Sequence, residues 1–200
     1  AMRFDPPPSR ERPVLMVFQD YVLFPSLSVF ENVAFGLRSR KLPRAEIATR
    51  VARMLEHFHL ADLAPRFPAQ LSAGQKQRVA LARAMVVTPA MLLLDEPFAN
   101  LDPNLKLEAA EFIRRTQREF GISTVSVTHD LAEALVMSDR VGILLDGVLA
   151  QFGPAAEVYR RPASVEVARF LGPVNVIDHR LGTLLGLTRP KGEAPADAAA

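Results

Sequence analysis

Met91-Leu-Leu-Leu-Asp-Glu-Pro97 reads as a short strand that stops at two carboxylates. The apolar run Met91 to Leu94 suits a strand buried on both faces, and Pro97, which has no N–H to donate, forbids further ladder pairing. Asp95 and Glu96 therefore stand at the strand's carboxyl end. Downstream, a helix from about Asn104 to Phe120 leads through Gly121 to a strand over Ser123 to Thr128, which ends at His129. A helix over Leu131 to Met137 precedes the strand Val141 to Leu145, and Asp146-Gly147 is a hairpin turn into Val148 to Phe152. Upstream, Val14 to Phe18 suits a buried strand ending at Gln19. Between them lies a mostly helical insert. Val29, Val33 and Leu37 recur at helical spacing after Ser28, as do Ile47, Val51, Leu55 and Phe58 after Pro43. Ser72 with Gln75 has capping-box spacing and opens a third helix that Pro89 stops. Alternating strands and helices predict an α/β layer with a largely parallel sheet, whose sites lie beyond the strands' carboxyl ends.

Composition narrows the functional classes. Two hundred residues suit one domain or a large part of one, and 49% apolar with 23% charged residues is a soluble globular balance. The net charge is only +2, which offers no basic field for nucleic acid or an anionic membrane. Cysteine is absent, so disulfides and thiolate metal sites are excluded, in keeping with a reducing cytoplasm. No apolar stretch approaches the length of a membrane-spanning helix. Any membrane link must run through a partner.

Gln19, Asp95, Glu96 and His129 converge on three strand ends. A single such residue is usually a turn residue, a helix cap or a solvated side chain. Four together point to chemistry. Adjacent carboxylates after an extended strand point in different directions, so one can address a metal while the other faces a water. Mg²⁺ prefers oxygen ligands and keeps several waters, and attack on a phosphoryl group needs a carboxylate to orient or deprotonate the nucleophile. Asp95 suits the first role and Glu96 the second. The backbone N–H groups of Ser72, Ala73, Gly74 and Gln75, at a helix N-terminus, form an anion site suited to phosphate.

Over roughly Val14 to Asn175 the chain resembles the ATP-binding-cassette ATPases of membrane transporters. Leu71-Ser-Ala-Gly-Gln75 and the following Lys76 to Arg83 look like the family signature. Leu92-Leu-Leu-Asp-Glu-Pro97 looks like Walker B, Ala99-Asn-Leu-Asp102 like the D-loop, Val127-Thr-His-Asp130 like the switch-histidine segment and Val17-Phe-Gln-Asp20 like the Q-loop. Their order and approximate spacing are those of the family. The resemblance implies a partial P-loop NTPase-like sheet with a helical signature subdomain over about residues 26–88. It implies ATP and Mg²⁺ as ligands, Glu96 as base for the attacking water, His129 on the terminal phosphate, Asp95 and Gln19 at the metal, and Asp102 at the nucleotide. Ser72 to Gln75 would address ATP held by a second ATPase subunit in a head-to-tail dimer. Ala73 departs from the commonest signature, Leu-Ser-Gly-Gly-Gln, and requires an ordinary backbone conformation there.

One family element has no counterpart. The phosphate-binding P-loop, Gly-x-x-x-x-Gly-Lys-Ser/Thr, needs Lys before a hydroxyl residue, whereas Lys41, Lys76, Lys106 and Lys191 precede Leu, Gln, Leu and Gly. The chain is therefore expected to be an N-terminally truncated ATPase domain over residues 1–172, inactive alone, with unpaired strand edges and exposed apolar faces that confer marginal stability or drive assembly. Tyr21, Phe24, Pro25 and Leu27 resemble the region that receives a transmembrane permease in importers, which implies a cytoplasmic location at the inner face of the membrane. Phe170 to Asn175 looks like the entry to a small β-rich regulatory domain over 173–190, as in ATPases for sulfate, molybdate, polyamines, iron or sugars. Residues 191–200 are expected to be a disordered tail. The alternatives are a non-catalytic partner that lends its signature loop, and a soluble cassette ATPase acting on nucleic acid, which the near-neutral charge disfavours.

Overall fold

The computed structural model describes residues 13–177 and residue 186, without the side chain of Asn104. They fall into two compact units, within Ala1–Asp139 and Arg140–Ala200.

In the first unit three strands, β1 (Val14–Val17), β2 (Met91–Asp95) and β3 (Ser123–Val127), form a parallel sheet in that order. The register pairs Val17 with Leu94 and Leu94 with Ser126, so the three strand ends lie side by side. Parallel neighbours need long crossovers, and helices supply them. Helix α1 (Val29–Ser39), α2 (Arg44–His57) and α3 (Ala73–Met85) lie between β1 and β2, α4 (Pro103–Phe120) lies between β2 and β3, and α5 (Leu131–Met137) follows β3.

Local chemistry accounts for the helix starts. Ser28 and Glu31 form a capping box on α1, and Ser72 and Gln75 form one on α3, each satisfying backbone N–H groups that have no partner within the helix. Val29, Val33 and Leu37 of α1 are fully buried, and Ile47, Val51 and Leu55 of α2 join them in one core with Val79, Leu92, Leu94 and Phe98. Gly36 makes a close approach possible, since a Cβ there would lie 2.8 Å from Val87 Cγ1.

Several boundaries and burials differ from the sequence expectation. Helix α3 ends at Met85 with Val86 as its cap, before Pro89 is reached. The strand expected to be buried near the N-terminus buries only Val17, while Val14 and Met16, on the opposite face, are exposed. Strand β2 fully buries Leu92 and Leu94 but leaves Met91 and Leu93 partly open. Strand alternation puts Val14, Met16, Val125 and Val127 on that second face, and all four are exposed, Val127 by 60%.

In the second unit β4 (Arg140–Leu145) and β5 (Val148–Pro154) form an antiparallel hairpin with an irregularity between Ile143 and Leu144. Asp146 and Gly147 both take positive φ, 47° and 78°, as a type I′ turn requires. Two short helices follow, α6 (Ala155–Arg160) and α7 (Val165–Leu171). Gln151 ties the turn between them to β5, donating to Arg161 O at 2.9 Å and accepting from Ala163 N at 2.8 Å. Residues 173–177 carry neither helix nor strand. The rest of the expected regulatory segment, save residue 186, and the tail over 191–200 lie outside the described residues.

Candidate active site

Past β1 the chain turns sharply. Gln19 is exposed, and its carbonyl accepts from Asn100 Nδ2 at 2.9 Å, which joins it to the segment leading into α4. Tyr21 and Val22 follow with φ of 58° and 39°. A β-branched residue in the left-handed region is strained, so something must hold it. Arg83 of α3 does so, donating to Tyr21 O at 3.2 Å and Val22 O at 3.0 Å while its guanidinium sits 5.1 Å from the centre of the Phe24 ring. Burial lowers the pKa of Arg83 below its ordinary value. Beneath this, the carbonyl of Pro97 accepts from Tyr21 Oη at 3.3 Å and Gln77 Nε2 at 2.8 Å. Burial pushes the Tyr21 phenol up to about 12. Fully buried Asn32 shapes the next turn, donating to the carbonyls of Phe24, Leu27 and Ser28 and accepting from Phe24 N. Sequence reasoning did not single out Asn32, Gln77 or Arg83. The available signal was a polar residue on the apolar side of an amphipathic helix.

The second strand end brings a carboxylate against a histidine. Glu96 takes a φ of 45° and its N–H donates to Val127 O at 2.9 Å, which fastens the turn after β2 to the end of β3. Its carboxylate faces His129, whose Nδ1 lies 2.8 Å from Oε1 and 2.7 Å from Oε2. The Glu96 hydrogen bond, with the carboxylate charge behind it, raises the pKa of His129 above its ordinary value. Asp95 ends β2 partly buried, and Gln19 lies at the same sheet edge, two residues past β1. Asp95 and Gln19 both present oxygen donors, a set that suits Mg²⁺.

The Ser72 hydroxyl accepts from Gln75 N at 3.3 Å, while Gln75 Oε1 accepts from Ser72 N at 2.9 Å. Ala73 is the first helical residue, so its departure from glycine imposes no special conformation. A Cβ on Gly74 would sit 3.6 Å from Leu101 Cδ2, which places the signature-like turn against the Ala99 to Asp102 segment. Asp102 is exposed, and its carbonyl accepts from Leu105 N at 2.9 Å as α4 opens. Thus Glu96 meets His129, Gln19 meets Asn100, and Gly74 neighbours Leu101. No hydrogen bond or ion pair among the described residues joins the Ser72 to Gln75 turn to the Glu96–His129 pair. Beside the Arg83 turn runs an apolar groove of about 690 Å³ lined by Phe18, Val22, Phe24, Phe35, Arg83 and Val87, among others.

A parallel sheet with helical crossovers and polar side chains gathered past the carboxyl ends of its strands is the plan of a P-loop-type nucleotide-handling domain. The ABC transporter family model matches residues 2–99, and this chain belongs to that family. It is 53% identical over 171 residues to the spermidine/putrescine import ATP-binding protein PotA of Thermobifida fusca, covering 86% of this chain and 44% of that protein. It is 47% identical to the molybdate/tungstate import ATP-binding protein WtpC of Thermococcus kodakarensis, over 86% of this chain and 52% of the relative. With the sulfate/thiosulfate import ATP-binding protein CysA of Thermosynechococcus vestitus the identity is 48%, over 86% of this chain and 51% of the relative. The chain spans about half the length of the curated relatives it matches.

Proposed function

We propose that this chain is the ATP-binding part of an importer ATPase, in which hydrolysis of ATP drives uptake of a small solute through a transmembrane permease. The observation that carries the reading is the direct contact of Glu96 with His129 at adjacent strand ends. Glu96 orients and deprotonates the attacking water. His129, with Nδ1 engaged on Glu96 and its side chain 75% exposed, turns its other edge toward the terminal phosphate. Asp95 and Gln19 would hold Mg²⁺, which neutralises developing charge on the phosphate oxygens. The amides of Ser72, Ala73, Gly74 and Gln75, with the Ser72 hydroxyl, would address a phosphate held by a second ATPase subunit, and Asp102 would contact the nucleotide. The apolar groove by Phe24 is the surface for the permease. That partner links the chain to the membrane; no helix among the described residues is long and apolar enough to cross one. The chain then works at the cytoplasmic face, without nucleic acid.

The sequence contains no Gly-x-x-x-x-Gly-Lys-Ser/Thr loop, the usual cradle for the β- and γ-phosphates. This favours a second reading, in which the chain contributes its signature turn and docking surface to a partner's ATP and is inactive alone. Mg-ATP binding and turnover separate the two. Turnover by the purified chain, abolished in Glu96→Gln, supports the catalytic reading; absence of both binding and turnover, with restored turnover on adding an ATPase subunit that has a P-loop, supports the second.

A further inference from the structure

The His129 ring is three-quarters exposed and has one hydrogen-bond partner, Glu96, so packing does not set its direction. Its backbone must do so. The Thr128 hydroxyl donates to Glu133 Oε2 at 2.7 Å and accepts from Asp130 N at 3.1 Å, bracketing His129 on both sides. Asp130 then caps α5 by accepting from Ala132 N at 2.9 Å and Glu133 N at 3.2 Å. Glu133 itself is buried, 2% exposed, and a buried carboxylate needs a counter-charge. Lys106 supplies it from α4, with Nζ 3.0 Å from Glu133 Oε1 and 3.9 Å from Asp130 Oδ2. These interactions also raise the pKa of Lys106, chiefly through the contact with Glu133. Lys106 lies four residues past Asp102, in the first turns of the helix that this segment opens.

From this chain of contacts we infer that Lys106, Glu133 and Thr128 are positioning residues that aim His129 at Glu96 and tie the histidine to the Ala99 to Asp102 segment. None of the three touches a reacting atom; they act through the backbone of residues 128–130. The inference deepens the proposed function and rests on its assignment of Glu96 and His129.

The test reads the imidazole itself. In the purified chain, with histidine side chains labelled with ¹⁵N, the Nδ1 signal of His129 at one fixed pH reports its hydrogen bond to Glu96. Thr128→Val, nearly isosteric, and Lys106→Met are expected to shift that signal toward the value for exposed His59. Thr128→Ser and Lys106→Arg, which keep the hydroxyl and the charge, are expected to leave it in place. The signal of His57 should stay unchanged in all four and serves as the control for folding. If Lys106→Met does not fold, Thr128→Val and Thr128→Ser still decide. A His129 signal that is the same in the wild-type chain and in folded Thr128→Val overturns the inference. Failure of the ATPase reading looks different: the signal responds as stated, yet no turnover that depends on Glu96 is found with or without a P-loop-bearing subunit.

Discussion

His129 and Glu96 form an ion pair whose strength is legible in one titration. The folded pKa of His129 is raised above the ordinary 6.5. Protonation is thus favoured in the folded state, and the contribution to stability is complete below about pH 6.5 and is lost as pH rises through the folded value. Glu96→Gln removes the charge and is expected to return the His129 pKa toward 6.5, as followed by NMR of the ring protons. An unchanged value would refute Glu96 as the cause. Val22, with a φ of 39° and its side chain exposed, offers a second single-residue test. Glycine tolerates that conformation, so Val22→Gly is expected to raise unfolding stability by about 0.5–1 kcal/mol, the relief of left-handed strain exceeding the added chain entropy. Urea denaturation measures it.

Helix α3 links the candidate site at the next scale. Its first turn presents Ser72 and Gln75, Gln77 reaches the Pro97 carbonyl, and Arg83 holds the strained turn after β1. Tyr21→Phe removes one donor to Pro97 O while Gln77 remains bonded there, and should cost about 1 kcal/mol. Lys106→Met strands the Glu133 carboxylate; because Lys106 keeps some solvent contact, the expected loss is roughly 2–3 kcal/mol, below that of a fully buried pair. Lys106→Arg should recover most of it in the same denaturation series. The helices were legible in advance because their signals are local: Leu131 to Met137 was read residue for residue, and Ser72 with Gln75 marked the start of α3. The roles of Asn32 and Arg83 were not legible. Their partners are backbone groups 4 to 62 residues away, brought together by a turn that no local pattern specifies.

At the scale of the molecule, the first unit leaves one face of a parallel sheet open, with Val14, Met16, Val125 and Val127 exposed on it. Parallel sheets are ordinarily covered on both faces, and contiguous apolar patches recruit partners. The isolated chain is expected to self-associate, and Val125→Thr with Val127→Thr, which keep β propensity, should lower its mass in sedimentation. A wild-type chain that remains monomeric at high concentration contradicts this. The parallel α/β plan, the strand ends bearing Asp95, Glu96 and His129, and the Asp146-Gly147 hairpin were all readable from residue order, because periodicity, caps and turn residues act over a few positions. Strand burial was not, since an apolar run has the same composition whether one face of its sheet is covered or both are. Nor was the finding that Glu96 bonds to His129 while Lys106 secures the histidine's own segment. Those contacts join residues 27 to 33 positions apart and exist only once β2 and β3 pair and α4 packs against α5. The strand Met91 to Asp95 marks the candidate site in the sequence, and the pairing of β2 with β3 supplies its geometry.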